Sequence, residues 1–253
     1  MAQEAQKWPV FAWYLYDEPD VHGKSRAYIE NLNSYTKVYF PNHKTAFVIG
    51  QAKTKENYYG AADILMLDWY PVPHMPLESL GEHIAVAKEG LDAADNKKTE
   101  LIAVVQTFDW RTFKQFRPDT RRIGRYPSKE EIRFMSYHSI INGARGLFYF
   151  YYPQAAATEE RWGELAEVVW EIKSLGDVFK KGKQVKTPAF IPASLSNAVW
   201  KYKGAKYLVI ASTEHKDVWL PAELNKKKYK LIYDGGAAEK DKIAPYGVFI
   251  FKY

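Results

Sequence analysis

The chain has 253 residues, 47% of them hydrophobic, enough for one large or two modest domains with a packed core and enough to exclude wholesale disorder. Its formal charge is +6, but lysines such as Lys180, Lys181 and Lys226 come without any nucleic-acid module, so a solvated basic face is read and no nucleic-acid partner is expected. There is no cysteine, hence no disulfide frame and no thiol nucleophile; no run approaches the ~18 apolar residues of a membrane span, and residues 1–8 lack the apolar core of a signal peptide, which leaves the compartment open.

Residues 10–16 read as a buried strand running into Asp17, Glu18 and Pro19. Bare carboxylates do not sit along a buried strand, so they are placed at its C-terminal tip, and Pro19, which cannot donate to a ladder, ends it. A helix over 25–39 follows, with Tyr28, Leu32, Tyr35 and Tyr39 on one face, stopped by Pro41. Residues 45–50 form a short buried strand, a helical turn is placed near 56–59, and residues 62–68 form another buried strand ending in Asp68-Trp69-Tyr70-Pro71. Residues 77–91 are helical with Leu77, Leu80, Ile84 and Leu91 on one stripe, and 101–106 are a strand.

The loop over 107–127 is long, aromatic and Arg-rich, and loops of that length in a compact domain are usually functional. Ser128 and Glu131 make a capping box, opening a helix with Ile132, Met135, Ser136, Ser139 and Ile140 on one side and Gly143 at its end. Residues 146–152 are a strand, and a long helix over 158–180 is expected to turn Trp162, Leu165, Val169, Ile172 and Phe179 inward.

Strand and helix thus alternate as five βα units up to Gly182. Continuous apolar strands in that order argue for an α/β fold with a parallel sheet covered on both faces, a partial TIM-barrel-like repeat over 1–182. Short strands at 189–191, 197–202, 206–212, 217–220, 229–233 and 247–253, separated by turn residues, make 183–253 a small antiparallel β-sandwich domain. A parallel sheet without closure leaves two bare edges. The chain is therefore expected to form homo-oligomers through them, or to cover them with its termini or β domain.

The stretch Trp13-Tyr-Leu-Tyr-Asp-Glu-Pro19 resembles strand 4 of the clan A glycoside hydrolases, (β/α)8 barrels whose acid/base Glu follows an Asn in an Asn-Glu-Pro motif. Residues 62–71 resemble their strand 6. Residues 104–110, 125–152 and 244–253 resemble strands 7 and 8 and the β domain often appended to such barrels. The resemblance runs from Trp8 to the end and implies hydrolysis of a glycosidic bond in an oligo- or polysaccharide. It also implies that the five units are units 4 to 8, so that Met1 opens a truncated frame or an excised piece. The family's nucleophile is a Glu at the end of strand 7; the matching position here is Gln106, an amide that cannot form a glycosyl ester.

Glycoside hydrolysis ordinarily takes two carboxyl groups flanking the bond, one of them protonated near neutral pH. Glu18, among Trp13, Tyr14 and Tyr16 and beside Asp17, fits the general acid. Alternation along a strand turns Asp17 and Glu18 to opposite sides unless the strand end is twisted or bulged. The resemblance gives Asp17 the place of the Asn that contacts the sugar 2-hydroxyl. The second carboxyl is sought in Asp68, with Asp109 as a looser candidate; an anchor for loop amides beside Tyr70 is an equal reading of Asp68. Trp69, Tyr70, Trp110, Tyr126 and Tyr152 fall at or past strand ends, where rings can stack on sugars or simply pack. Arg121, Arg122 and Arg125 could hold an acidic sugar, although a solvated loop is the stronger reading.

Neither a metal nor a cofactor is expected: His22, His43, His74, His83, His138 and His215 show no ligand spacing, and there is no phosphate loop or nucleophile elbow. Two alternatives remain beside the hydrolase. One is a non-catalytic carbohydrate-binding module derived from it, favoured by Gln106. The other is an open doubly wound α/β domain, in which the strands would not be sequential neighbours.

Overall fold

The computed structural model describes residues 4, 6–53, 57–94, 98–116, 123–239 and 241–253. Strands β1 (Ala12–Tyr14), β2 (Lys44–Ile49), β3 (Ile64–Asp68), β4 (Glu100–Gln106) and β5 (Gly146–Phe150) form a parallel sheet in the order β1-β2-β3-β4-β5. Sequential order is the order of a barrel; a doubly wound sheet reverses direction at a switch point. The doubly wound alternative is therefore set aside. The antiparallel part is one six-stranded sheet, with β6 (Lys183–Val185), β7 (Leu195–Tyr202), β8 (Ala205–Ser212), β9 (Val218–Trp219), β10 (Lys230–Glu239) and β11 (Lys242–Lys252).

Packing divides the chain into two compact units, Met1–Tyr70 with Glu82–Val104 and Asn142–Phe148, and Pro71–Gly81 with Val105–Ile141 and Tyr149–Tyr253. In the first unit one face of the sheet packs Ala46, Ile64 and Ile102 together with Ala12 and Met66. Strand alternation carries that face on from Ala46 to Gly50 and from Ile64 to Asp68, which places both at strand tips on one side. The opposite face is Phe47, Ile49, Leu65, Leu67 and Leu101, each at most 1% exposed.

The sheet curls: Phe11, just before β1, and Phe148 on β5 bring their rings to 6.2 Å although these strands lie at its two ends. Both rings stay open to solvent, Phe11 59% and Phe148 44% exposed. Apolar rings on bare edge strands favour pairing with another chain. Light scattering at micromolar concentration should therefore give a mass above the monomer's 29.3 kDa; a strictly monomeric mass refutes association through these edges.

Helix α1 (Arg26–Tyr39) is capped by Ser25, which accepts from the Tyr28 amide. Its inward face differs from the tyrosine stripe. Ile29 is fully buried, whereas Tyr28, Tyr35 and Tyr39 are 40%, 65% and 42% exposed. Asn33 donates to Ala61 O and accepts from Thr45 Oγ1, so a polar residue takes an inward position beside Ile29. Residues 54–56 lie outside the described part, and Tyr59–Gly60 make a turn rather than helix. Helix α2 (Ser79–Ala93) buries Leu80, Ile84 and Leu91, and Leu77 just before it is buried too, as the stripe required.

In the second unit the capping box forms, with Glu131 accepting from the Ser128 amide and Ser128 Oγ from the Glu131 amide. Helix α3 (Lys129–Ile141) is buried nearly all round, not on one side, because it packs against α5 (Glu159–Ser174) and against β7, β8 and β11. The helix expected over 158–180 is two, α5 and α6 (Gly176–Lys181), preceded by the short α4 (Tyr152–Ala155). The inward residues of α5 are Leu165, Val168 and Glu171, and Trp162 is 49% exposed. The stripe rotates because Glu171 is drawn inward by its ion pair with Arg133 of α3. The strand expected at 189–191 is instead a turn, closed by the Ile191 amide on Pro188 O between two prolines. The strand that pairs with β7 there is β6.

Candidate functional site

The first unit gathers acidic side chains at the C-terminal tips of β1, β2 and β3. The Leu15 amide donates to Ala46 O and the Val48 amide to Tyr16 O, so the chain stays in register with β2 as far as Tyr16. It then breaks at Glu18, which has φ +43°. A left-handed conformation is strained for any residue with a Cβ and needs outside support. The support is visible. Val21 and His22 amides donate to Glu18 O. The Asp20 carboxylate accepts from the Gly50 amide at 3.1 Å and the Gln51 amide at 2.9 Å, tying this turn to the end of β2. The Glu18 carboxyl lies against Gly50, where a Cβ would stand 2.8 Å from Oε1, so a larger residue there would push the Glu18 carboxyl aside.

Asp17 is exposed and accepts a 2.5 Å hydrogen bond from the Tyr14 hydroxyl. Burial and this bond raise the Tyr14 pKa. Burial also raises Glu18, and Asp17 and Asp20 add to the rise, offset in part by His22.

Asp68, at the tip of β3, is the buried member of the group at 9% exposure. Burial and then the Glu18 charge push it up to about 8, with Asp17 and Asp20 contributing and the Tyr70 hydroxyl, which donates to it, pulling the other way. Its Oδ1 is buried without a hydrogen-bond partner among the described residues. Tyr70 is itself pushed well above the ordinary tyrosine value by burial and by Asp68. Trp69 stacks on His83 at 4.1 Å, and burial lowers the His83 pKa.

The Asp68 shift has a consequence for stability. The folded chain holds this proton more tightly than the unfolded chain, whose carboxyl titrates near 3.8. The stabilisation is complete below that pH and is lost as pH rises toward about 8. Relative to Asp68→Asn, the wild-type denaturant midpoint should fall as pH rises across this window; parallel curves refute a proton held at Asp68.

The other sequence-derived site residues belong to the second unit. Gln106 is fully buried. Its Oε1 accepts from the Val72 amide at 2.9 Å, and its Nε2 donates to Val72 O at 2.8 Å and Phe108 O at 3.1 Å. The amide is thus committed to backbone. Asp109 is 6% exposed. Burial raises its pKa, but hydrogen bonds and charge from Arg111 more than reverse this, and it ends below the ordinary value. Trp110 opens a short 3₁₀ helix (Trp110–Phe116) and packs edge-on to Phe108. Tyr126 lies under the Arg161 guanidinium, 4.4 Å from the ring centre, and burial pushes it up to about 12. Tyr152 is 67% exposed and meets Trp162 edge-on. Arg125 is paired with Glu131, and Arg121 and Arg122 lie outside the described residues.

One unit therefore brings Asp17, Glu18, Asp68 and Tyr70 into a single electrostatic group, with Trp69 next in the chain. Sequence reading placed Tyr14 beside Glu18 but not its hydrogen bond to Asp17, and it missed Asp20 and Gly50, which position the group. The signal was present for Asp20, a second Asp three residues after Asp17 and able to cap a turn. Among the described residues no cluster is arranged to hold a metal ion, and no helix is long and apolar enough to cross a membrane.

No protein-family model matches the chain, and no curated protein matches it. Solved structures do match along nearly its whole length. A GH30 endoxylanase from Clostridium papyrosolvens C71 aligns with a TM-score of 0.58 at 11% identity, over 98% of this chain and 67% of the endoxylanase. Amy13B of Eubacterium rectale aligns with a TM-score of 0.61 at 7% identity, over 96% of this chain and 60% of its own. The α-amylase of Geobacillus thermoleovorans, solved with acarbose, aligns with a TM-score of 0.52 at 11% identity, over 99% of this chain and 61% of the amylase. The chain thus spans three fifths to two thirds of each. At such identities the likeness is one of fold, and the fold is that of part of a (β/α) barrel followed by a β-sheet domain.

Proposed function

We propose that the chain binds an oligo- or polysaccharide at the tips of β1–β3 and takes part in hydrolysing a glycosidic bond, with Glu18 as general acid and Asp68 as its carboxyl partner. The observation that carries this is the strained turn at Glu18 set beside a buried Asp68. Burial and the Glu18 charge keep a proton on Asp68 near neutral pH, and burial with the Asp17 and Asp20 charges raises Glu18 as well; a general acid must hold its proton before it acts. Asp68 has almost no surface, so a substrate oxygen is met by Glu18, which is only half-buried, while Asp68 supports it from below. Glu18 gives its proton to the departing glycosidic oxygen, and the water that adds at the anomeric carbon returns one to the pair. Asp17 accepts from a sugar hydroxyl, and Trp69 and Tyr70 flank the sugar.

Release of reducing ends from a panel of glycans tests this; no release from any of them removes the hydrolase reading. One observation favours the second reading, a binding module without turnover. Gln106 stands where the resemblance expects a nucleophile, and its side chain is committed to backbone. Saturable glycan binding without reducing-end release selects that reading.

A further inference from the structure

Residues 183–253 carry thirteen lysines, no arginine and six carboxylates, a formal charge of +7, whereas the whole chain carries +6. All of the positive excess therefore lies in this segment, and strand register gives it an order. Lys183 of β6 stands opposite Lys201 of β7, and Lys201 stands opposite Lys206 of β8. Cross-strand partners point to one face and neighbouring strands lie ~4.8 Å apart, so three lysines stand side by side at one end of the sheet. In the adjoining row, on the other face, Lys252 of β11 stands opposite Lys230 of β10. All five are exposed.

Like charges directly opposite one another destabilise a sheet, and no carboxylate of a described residue pairs with any of the five. Asp177 reaches this end through the Tyr202 hydroxyl, which donates to it at 3.0 Å, but it is paired with Lys181. Glu214, Asp217 and Asp241 belong to the opposite end, past the close of β8 or before the start of β9 and β11. Aromatic rings steady the lysines instead. Lys206 exchanges both backbone hydrogen bonds with Tyr253 and its ammonium lies 5.4 Å over that ring, while the Lys252 ammonium lies 5.6 Å over Tyr207.

Such an end is complemented by negative charge. A small anion is held by N–H groups that converge on it. These ammonium groups are instead spread along rows on separate strands, which suits a polymer with repeated charges. A polynucleotide fits less well, because its binders offer rings open to stacking bases. Here Tyr229 is 7% exposed, and lysines cover Tyr253 and Tyr207. Nor is there an arginine to grip a phosphate in two places. A lipid surface takes up apolar side chains beside the cations, and Trp200, the large apolar member of these rows, is buried.

We propose that the lysine end of this sheet binds an acidic polysaccharide, whose carboxylates lie along the ammonium rows. This goes beyond the reading of the β1–β3 tips and stands without it.

Equilibrium binding of the full chain to polygalacturonate, its methyl ester, single-stranded RNA and phosphatidylserine–phosphatidylcholine vesicles tests it at one low salt concentration. Polygalacturonate should bind about tenfold or more tightly than the uncharged ester, and rising salt should remove the difference. Lys201→Gln with Lys206→Gln should weaken that binding about fivefold without lowering the unfolding midpoint, since two opposed charges are relieved. Lys7→Gln with Lys98→Gln removes the same charge from exposed positions of the first unit and should leave binding unchanged. Equal loss in the two pairs shows a diffuse effect of net charge and overturns the site. Equal binding of the ester, tighter binding of RNA or vesicles, or no binding of polygalacturonate overturns the proposal. Reducing-end release is measured separately, so the reading of the β1–β3 tips stands or falls by its own result.

Discussion

Glu18→Gln should lower turnover of any glycan the chain cleaves by ~10²–10⁴-fold, the range removed with a general acid, while the chain stays folded. The amide keeps the shape that lies against Gly50 but has no proton to give. A charge effect should accompany the catalytic one. The Glu18 charge ranks directly after burial among the causes that raise Asp68, so its removal lets Asp68 titrate lower. The pH range over which stability declines should then end earlier than in the wild type. Activity and denaturant midpoints measured on one preparation across pH separate the roles. Lost turnover with a shifted stability profile supports an acid coupled to Asp68. Unchanged turnover ends the general-acid assignment. Glu18→Gly sharpens the contrast, because glycine accepts φ +43° without strain. It should gain about 1 kcal/mol of stability as the strain is relieved while losing activity.

How far the sequence disclosed this site follows from which interactions are local. The strand-to-carboxylate step at Tyr16–Glu18 was legible, although the strand expected buried over 10–16 is the short, half-exposed β1, with Phe11 and Tyr14 open to solvent at the edge of the sheet. The partnership of Glu18 with Asp68 was legible only as two carboxyls at two strand tips. Its strength depends on parallel register, Ala46 opposite Ile64, which brings the tips of β1, β2 and β3 to one side. The positive φ of Glu18 was not legible, since nothing local demands it. It follows from Asp20 reaching two amides about 30 residues away. The α1 stripe failed for a related reason. Its tyrosines have the right spacing, but Asn33 finds polar partners inward, at Ala61 O and Thr45 Oγ1, and Tyr35 and Tyr39 pack on each other outside at 5.1 Å. Periodicity reports which residues share a face, and the hydrogen-bond partners available on the far side decide which face turns in.

Gln106→Ala should destabilise the second unit by about 3–5 kcal/mol, because it leaves buried Val72 N–H, Val72 O and Phe108 O groups unpaired and opens a cavity. Gln106→Glu is the more instructive change, since on the resemblance it restores the missing nucleophile. The local geometry argues against restoration. Two carbonyl oxygens face Nε2, at 2.8 Å and 3.1 Å, and a carboxylate oxygen in that place would meet acceptors with no hydrogen to share. The variant should therefore take up a proton to fold. A carboxyl raised in the folded state loses its stabilisation as pH rises, so relative to the wild type its midpoint should drop steeply with pH. It should gain no glycosidase activity. A gain of reducing-end release in Gln106→Glu, with stability level in pH, would show that a carboxylate is accommodated here and that the amide replaced a nucleophile with no structural role of its own. The expected outcome is the reverse. A residue chosen to bridge an N–H and two C=O groups must both accept and donate, and among side chains of this length only glutamine does both without titrating.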